Sequence, residues 1–148
     1  MAELNYPIDT ELQLKDAGAI TSSAAATVGG SAAIIDLGDS DCAGEMVIDV
    51  TAIDVASTDE AYTIILEGSD SSDFSSGTPR IVPLAAAFMG AGGTIPGAGS
   101  TSTSTGRHVV AWKNRHFGSR SRYVRAYTVC AGTTPSINYV AYLTMTRP

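Results

Sequence analysis

Short runs in which apolar and polar residues alternate fill this chain, separated by gaps containing Gly, Ser, Asp and Pro. Alternation sends successive side chains to opposite faces, so each run predicts a half-buried β-strand. The two longest, 122–130 and 137–145, are rich in Tyr, Val, Thr and Ile, which suit a pleated surface. In the first, Val124, Ala126 and Thr128 oppose Tyr123, Tyr127 and Val129; in the second, Ile137, Tyr139 and Leu143 oppose Val140 and Tyr142. Both are apolar on both faces, whereas a strand wet on one side alternates more cleanly. Either a loop or another subunit covers the outer face. The Gly- and Pro-containing gap 131–136 reads as a hairpin loop joining them. Upstream, 45–53 predicts a strand with Met46, Ile48, Val50 and Ala52 on one face and Asp49 and Thr51 on the other. Residues 62–67 follow, with Tyr62, Ile64 and Leu66 on one face, and the two are expected to pair as an antiparallel hairpin.

Weaker signals complete the chain. Residues 11–15 read as a short edge strand, and 33–38 as a strand ended by Gly38 before the polar turn Asp39-Ser40-Asp41. Segment 16–33 reads as a loop crossing a sheet edge, with room for one helical turn at Ala24-Ala25-Ala26. Residues 68–78 form a polar surface turn with Phe74 as its core anchor. Residues 80–84 make a short strand that Pro83 confines to an edge or a strand end. Residues 107–113 resume the pattern, with Val109, Ala111 and Trp112 facing the core. Residues 1–10, with Pro7, suggest an extended arm, and the Gly/Ser-rich stretch 85–106 a flexible projecting loop. About eight closely spaced strands and no amphipathic helix predict a single all-β domain over 1–148, an antiparallel β-sandwich of jelly-roll type.

Composition agrees: 44% of the 148 residues are hydrophobic and only 16% charged, with Ser, Thr, Ala and Gly making up the difference. No apolar run approaches the roughly 20 residues of a membrane span. The first residues lack the basic start and apolar core of a secretory signal, so folding in a cytoplasm is expected. Cys42 and Cys130 lack metal-ligand spacing and read as two unlinked thiols, a bridge being the poorer reading in a reducing compartment.

Charge adds more. All 15 acids lie in 1–79 with Lys15 as the only base there, a net −14, while 80–148 carries eight bases and no acid, so the total is −6. Interleaving of the halves in one sheet system would neutralise much of this internally. Otherwise the asymmetry signals nucleic acid or a charge-matched assembly. An acidic whole, with a pI near 4.6, weighs against nucleic acid, although Trp112, Phe117, Tyr123 and Tyr127 are interleaved with Arg and Lys.

Catalytic patterns are missing: His108 and His116 have no acid near them in sequence, and no nucleophile elbow, HExxH or phosphate loop occurs. Asp39/Asp41 and Asp70/Asp73 cluster carboxylates but match no calcium loop, and Asp and Ser are what turns contain. The reading is therefore no enzyme, no cofactor and no metal. Arg107, Lys113, Arg115, Arg120, Arg122 and Arg125, with Tyr123 and Tyr127, are the candidate interface residues, Arg and Tyr being types enriched at interfaces.

Taken in order, several pieces resemble the capsid cement (decoration) proteins of tailed bacteriophages. They are 12–17 (Leu-Gln-Leu-Lys-Asp-Ala), 19–27, 35–38 (Ile-Asp-Leu-Gly), 64–67 with Gly68-Ser69-Asp70, 73–75 (Asp-Phe-Ser), and Arg122-Tyr-Val-Arg125 with 127–129. The resemblance spans most of 12–145, and order and spacing carry it. It implies a jelly-roll virion protein made in the host bacterial cytoplasm, sitting on the capsid exterior. Its partners would be the major capsid protein and itself, as homodimer or homotrimer, with no nucleic acid, membrane or cofactor. The alternative is a jelly-roll binding module of a phage particle, carbohydrate- or tail-associated, with Trp112 and the tyrosines lining a sugar platform.

Overall fold

The computed structural model describes residues 9–75, 80–91 and 105–146. Along them the alternating runs become β1 (Gln13–Lys15), β2 (Ala19–Ile20), β3 (Ala24–Ala25), β4 (Thr27–Val28), β5 (Ser31–Ala32), β6 (Ile35–Asp36) and β7 (Ala43–Ile53). Then come β8 (Ala61–Ser69), β9 (Ile81–Gly90), β10 (Gly106–Lys113), β11 (Arg115–His116), β12 (Ser119–Arg120), β13 (Tyr123–Ala131) and β14 (Ile137–Thr146). Among the described residues the one helical piece is a 3-10 turn, Thr10–Leu12, capped by the Asp9 carboxylate on Glu11 N–H. Residues 11 and 12 thus belong to that turn and not to the edge strand, which begins at Gln13.

All strand pairs are antiparallel. One sheet, A, runs β1-β14-β7-β10 with β2 also on β14; the other, B, runs β3-β13-β8-β9 with β6 also on β13. Counting β3 and β6 as one interrupted strand, eight positions alternate between sheets as first–eighth–third–sixth and second–seventh–fourth–fifth. That order is a jelly roll, as the pattern predicts. The Ala-rich stretch is strand, not helix: Ala24 and Ala25 pair with Thr128 and Tyr127.

Two expected hairpins do not form. β7 pairs with β10 and β14, while β8 pairs with β9 and β13, so 54–60 crosses from sheet A to sheet B. Likewise β13 and β14 lie in opposite sheets, and 132–136 arches over the core. Each pair of strands presents one apolar face, and those faces meet across the sandwich where hairpin partners would share a sheet. The two arches brace each other. Asp54 N–H donates to Ser136 O (2.8 Å), Thr133 N–H and hydroxyl donate to Asp59 (3.0 and 2.9 Å), and the Tyr62 hydroxyl donates to Asp54 O (2.7 Å) while accepting from Ser136 N–H (2.9 Å).

The core matches the predicted inward faces: Met46, Ile48 and Val50; Tyr62, Ile64 and Leu66; Val124 and Ala126; and Ile137, Tyr139, Ala141 and Leu143 are buried together. Phe74 is buried as the anchor of its polar turn, but against Arg125 and outside the core cluster where it was expected; residues 76–78 of that turn lie outside the described residues. β9 is an edge strand as Pro83 requires, but it continues through 85–90, where a flexible loop was expected. The remainder of that expectation falls largely on 92–104, and that of the extended arm on 1–8, outside the described residues.

Three faces differ. A register shift opposite Asn138/Tyr139 turns Ala52 outward and Ile53 toward the core. In β10 the inward residues are Val110 and Trp112, while Val109 and Ala111 are exposed, because pairing with β7 sets Val109 beside outward-facing Val47. Lys15, expected on a polar face, is buried, and its ammonium donates to the carbonyls of Asp16, Gly18 and Tyr139 at 2.7–3.0 Å. Three acceptors match its three donors, which is what makes a buried ammonium tolerable.

Candidate functional site

The register places Ala43, Lys113 and Thr146 of sheet A, and Ser69, Ile81 and Tyr123 of sheet B, at the same end of the sandwich. The connections 37–42 and 114–122 meet there, with 70–75 and Arg80. They gather Lys113, Arg115, Arg120 and Arg122, half of the predicted interface residues, around one buried side chain that the sequence did not single out. Asn114 is fully buried. Its carbonyl oxygen accepts from Cys42 N–H (2.8 Å), and its amide donates to Ser40 O (3.0 Å) and Ser121 O (3.1 Å). It thereby ties the turn before β7 to both ends of the β11–β12 ribbon.

On this scaffold the arginines find acids from the first half of the chain. Arg115 makes a two-pronged contact with Asp41 (3.1 and 3.0 Å), and Arg120 reaches the same carboxylate at 3.8 Å. Arg122 grips Asp36 (2.8 and 2.9 Å) and lies 3.6 Å from Asp39, and Arg80 lies 3.3 Å from Asp70. Hydrogen bonds from Arg122, then from Gly38 N–H, hold the Asp36 carboxyl down to about 2, and those from Arg115 lower Asp41. Both carboxylates are therefore ionised throughout the neutral range. Among the described residues, five acids (Asp36, Asp39, Asp41, Asp70, Asp73) stand against five bases (Arg80, Lys113, Arg115, Arg120, Arg122) at this end. The lopsided charge of the sequence is thus partly cancelled where the halves meet, while the whole chain keeps its net −6. Exposed pairs of this kind are screened by solvent and add little stability.

Arg107 lies elsewhere, on the outer face of sheet A, bonded to Asp49 opposite it (2.6 and 2.9 Å). Arg125, Tyr123 and Tyr127 occupy the outer face of sheet B. There Arg125 bonds to Glu67 (2.8 Å), both side chains are half-buried, and the guanidinium lies 4.5 Å from the Phe74 ring centre and 5.6 Å from that of Tyr127. Ile65 and Ala86 stand in line with Tyr127, and Phe88 and Val129 flank Thr63, with Ile81 at the edge. Phe88 is 47% exposed, Val129 37% and Ile81 36%. This is an apolar face around a half-buried ion pair. Sequence reasoning reached its β13 half but missed Phe88 and Ala86, having assigned them to a loop.

Trp112 is buried on the inner face, so it lines no surface platform. Phe117, by contrast, is 93% exposed at the tip of the β11–β12 ribbon. At the same end of the sandwich a cleft of about 420 Å³ is bordered by Asp41, Cys42, Ala43, Lys113, Arg115 and Thr146. Both cysteines are free thiols, and burial raises the Cys130 pKa. Among the described residues no His, Cys, Asp or Glu cluster is arranged to hold a metal ion, and no helix is long and apolar enough to cross a membrane. No protein-family model matches this chain, and no curated protein matches it.

Proposed function

We propose that this protein is a structural virion protein that binds the exterior of a phage capsid and cements neighbouring major capsid protein subunits. The outer face of sheet B carries the reading. A sheet face left to water is ordinarily polar, and this one sets Tyr127, Ile65, Phe88 and Val129 around the half-buried Arg125–Glu67 pair. An apolar centre with an aromatic and Arg component is the composition of an interface core. The order of motifs shared with cement proteins points to the shell as what covers it. Binding only the assembled lattice would stabilise the shell by mass action, and several such contacts made by one oligomer would multiply their strength.

The test is cosedimentation of the purified protein with mature, undecorated capsids. Saturable binding at a copy number commensurate with the lattice is expected. Phe88→Asp combined with Val129→Asp, both at exposed positions, is expected to lower occupancy at least about tenfold, a loss of roughly 1.4 kcal/mol or more. Absence of binding by the wild type would overturn the reading, and undiminished binding by the double variant would move the contact off this face.

A further inference from the structure

Phe117 breaks two local rules at once. It is the most exposed large hydrophobic among the described residues, 93%, and its φ of +48° lies in the left-handed region. Gly118 follows at φ +76°, so the two form the tip of a two-residue turn of type I′ between His116 and Ser119. That turn favours Asn or Gly at its first position, because a Cβ is strained there. Phe is among the poorest choices for both water and backbone. The turn that carries it is nevertheless fixed: Arg115 donates to Gly118 O across it (3.2 Å), Asn114 locks the base of the ribbon, and the neighbouring His116 ring lies edge-on to Phe117 at 4.2 Å. A strained, exposed aromatic on a fixed support suits an anchor residue for a partner.

We propose that the partner is a second copy of this chain, with each Phe117 ring seated in the other copy's cleft beside Cys42 and Ala43. The cleft, about 420 Å³, lies on the same end as the ring. Cavities of about 150 Å³ suffice for a benzene ring. A projection and a receptacle at the same end of one molecule can be self-complementary, and a two-fold axis between two copies would fill both clefts at once. Charge favours this occupant. The described residues of this end, five acids against five bases, meet their own copy without net repulsion, whereas nucleic acid or an anionic membrane calls for a net positive surface. The pairing leaves the outer face of sheet B uncovered and is independent of capsid attachment.

Light scattering across a concentration series, with liposome flotation alongside, tests the pairing. The wild type is expected to form a dimer. Phe117→Asn is expected to raise its dissociation constant about 30-fold or more, the scale of an aromatic hot spot, while raising the unfolding midpoint of the monomer through a better turn residue. Ala43→Phe, which fills the cleft from its wall, is expected to give the same loss of dimer. In a Cys130→Ser background, Phe117→Cys is expected to cross-link to Cys42 of the second copy on oxidation with diamide. A wild type that stays monomeric, a dimer indifferent to both Phe117→Asn and Ala43→Phe, or Phe117-dependent flotation with phosphatidylserine vesicles would each overturn the proposal. Capsid cosedimentation of Phe117→Asn separates the two readings: retained binding by a monomeric variant leaves the cement function standing, and loss of binding by the variant, where the wild type binds capsids yet is monomeric in solution, assigns the ring to the capsid.

Discussion

Tyr139 carries a hydroxyl into the centre of the sandwich, where its one side-chain partner is the Thr128 hydroxyl across the sheets at 2.6 Å. Burial pushes its pKa up to about 12, with the Thr128 hydrogen bond opposing. An unfolded tyrosine titrates near 10. A folded-state value above the unfolded one means that this contribution to stability is complete below pH ~10 and disappears as pH rises through about 12. Tyr139→Phe is therefore expected to cost about 1–3 kcal/mol at pH 7, because Thr128 is left buried without that partner. The variant should also lose less stability than the wild type between pH 10 and 12. Urea titrations at several pH values measure both, and equal alkaline slopes would remove Tyr139 as the titrating group.

At the scale of elements, close approach of strands governs what side chains each tolerates. Gly44, at the start of β7, lies so near β14 that a Cβ there would overlap the Thr144 carbonyl. Gly44→Ala must spread β7 from β14 where Met46 and Leu143 begin the core, and a destabilisation of about 1–3 kcal/mol is expected. A denaturation midpoint within error of the wild type would mean that the two strands separate freely at this end. The exposed ion pairs act in the opposite sense: they fix the geometry of the loop end and add little stability.

For the whole molecule, every long strand pairs with one distant in sequence except β8 with β9. β1 meets β14, and β14 also completes the pairing of β7, so sheet A cannot close until the last strand arrives. Folding dominated by such non-local pairing is expected in the millisecond-to-second range. Removal of residues 137–148 is expected to abolish cooperative unfolding altogether. Stopped-flow Trp112 fluorescence and near-ultraviolet dichroism of the truncated chain check these two outcomes. A microsecond refolding phase carrying the full amplitude, or a truncated chain with native dichroism, would contradict them.

The sequence by itself determined the class, the jelly-roll expectation and most inward faces, because alternation is a local property of each strand. Tyr62, Ile64 and Leu66, or Val124, Ala126 and Thr128, point inward whichever strand lies beside them. Phe74 was legible as an anchor because it is a lone aromatic in a polar turn, and the edge position of β9 because Pro83 cannot donate to a neighbour. Pairing was not legible. The same alternation serves a hairpin or an arch, so only the closed sandwich decided that β7 and β8, and β13 and β14, face each other across the core. The site followed the same division. Arg and Tyr marked one strand of the sheet B face and four bases of the loop end, but the acids paired with the arginines lie 58 to 86 positions away in the chain. Phe117 stood out only once the fold placed the surrounding aromatics in the core or flat on a sheet and left this ring in water, a difference of exposure that residue type and spacing do not encode.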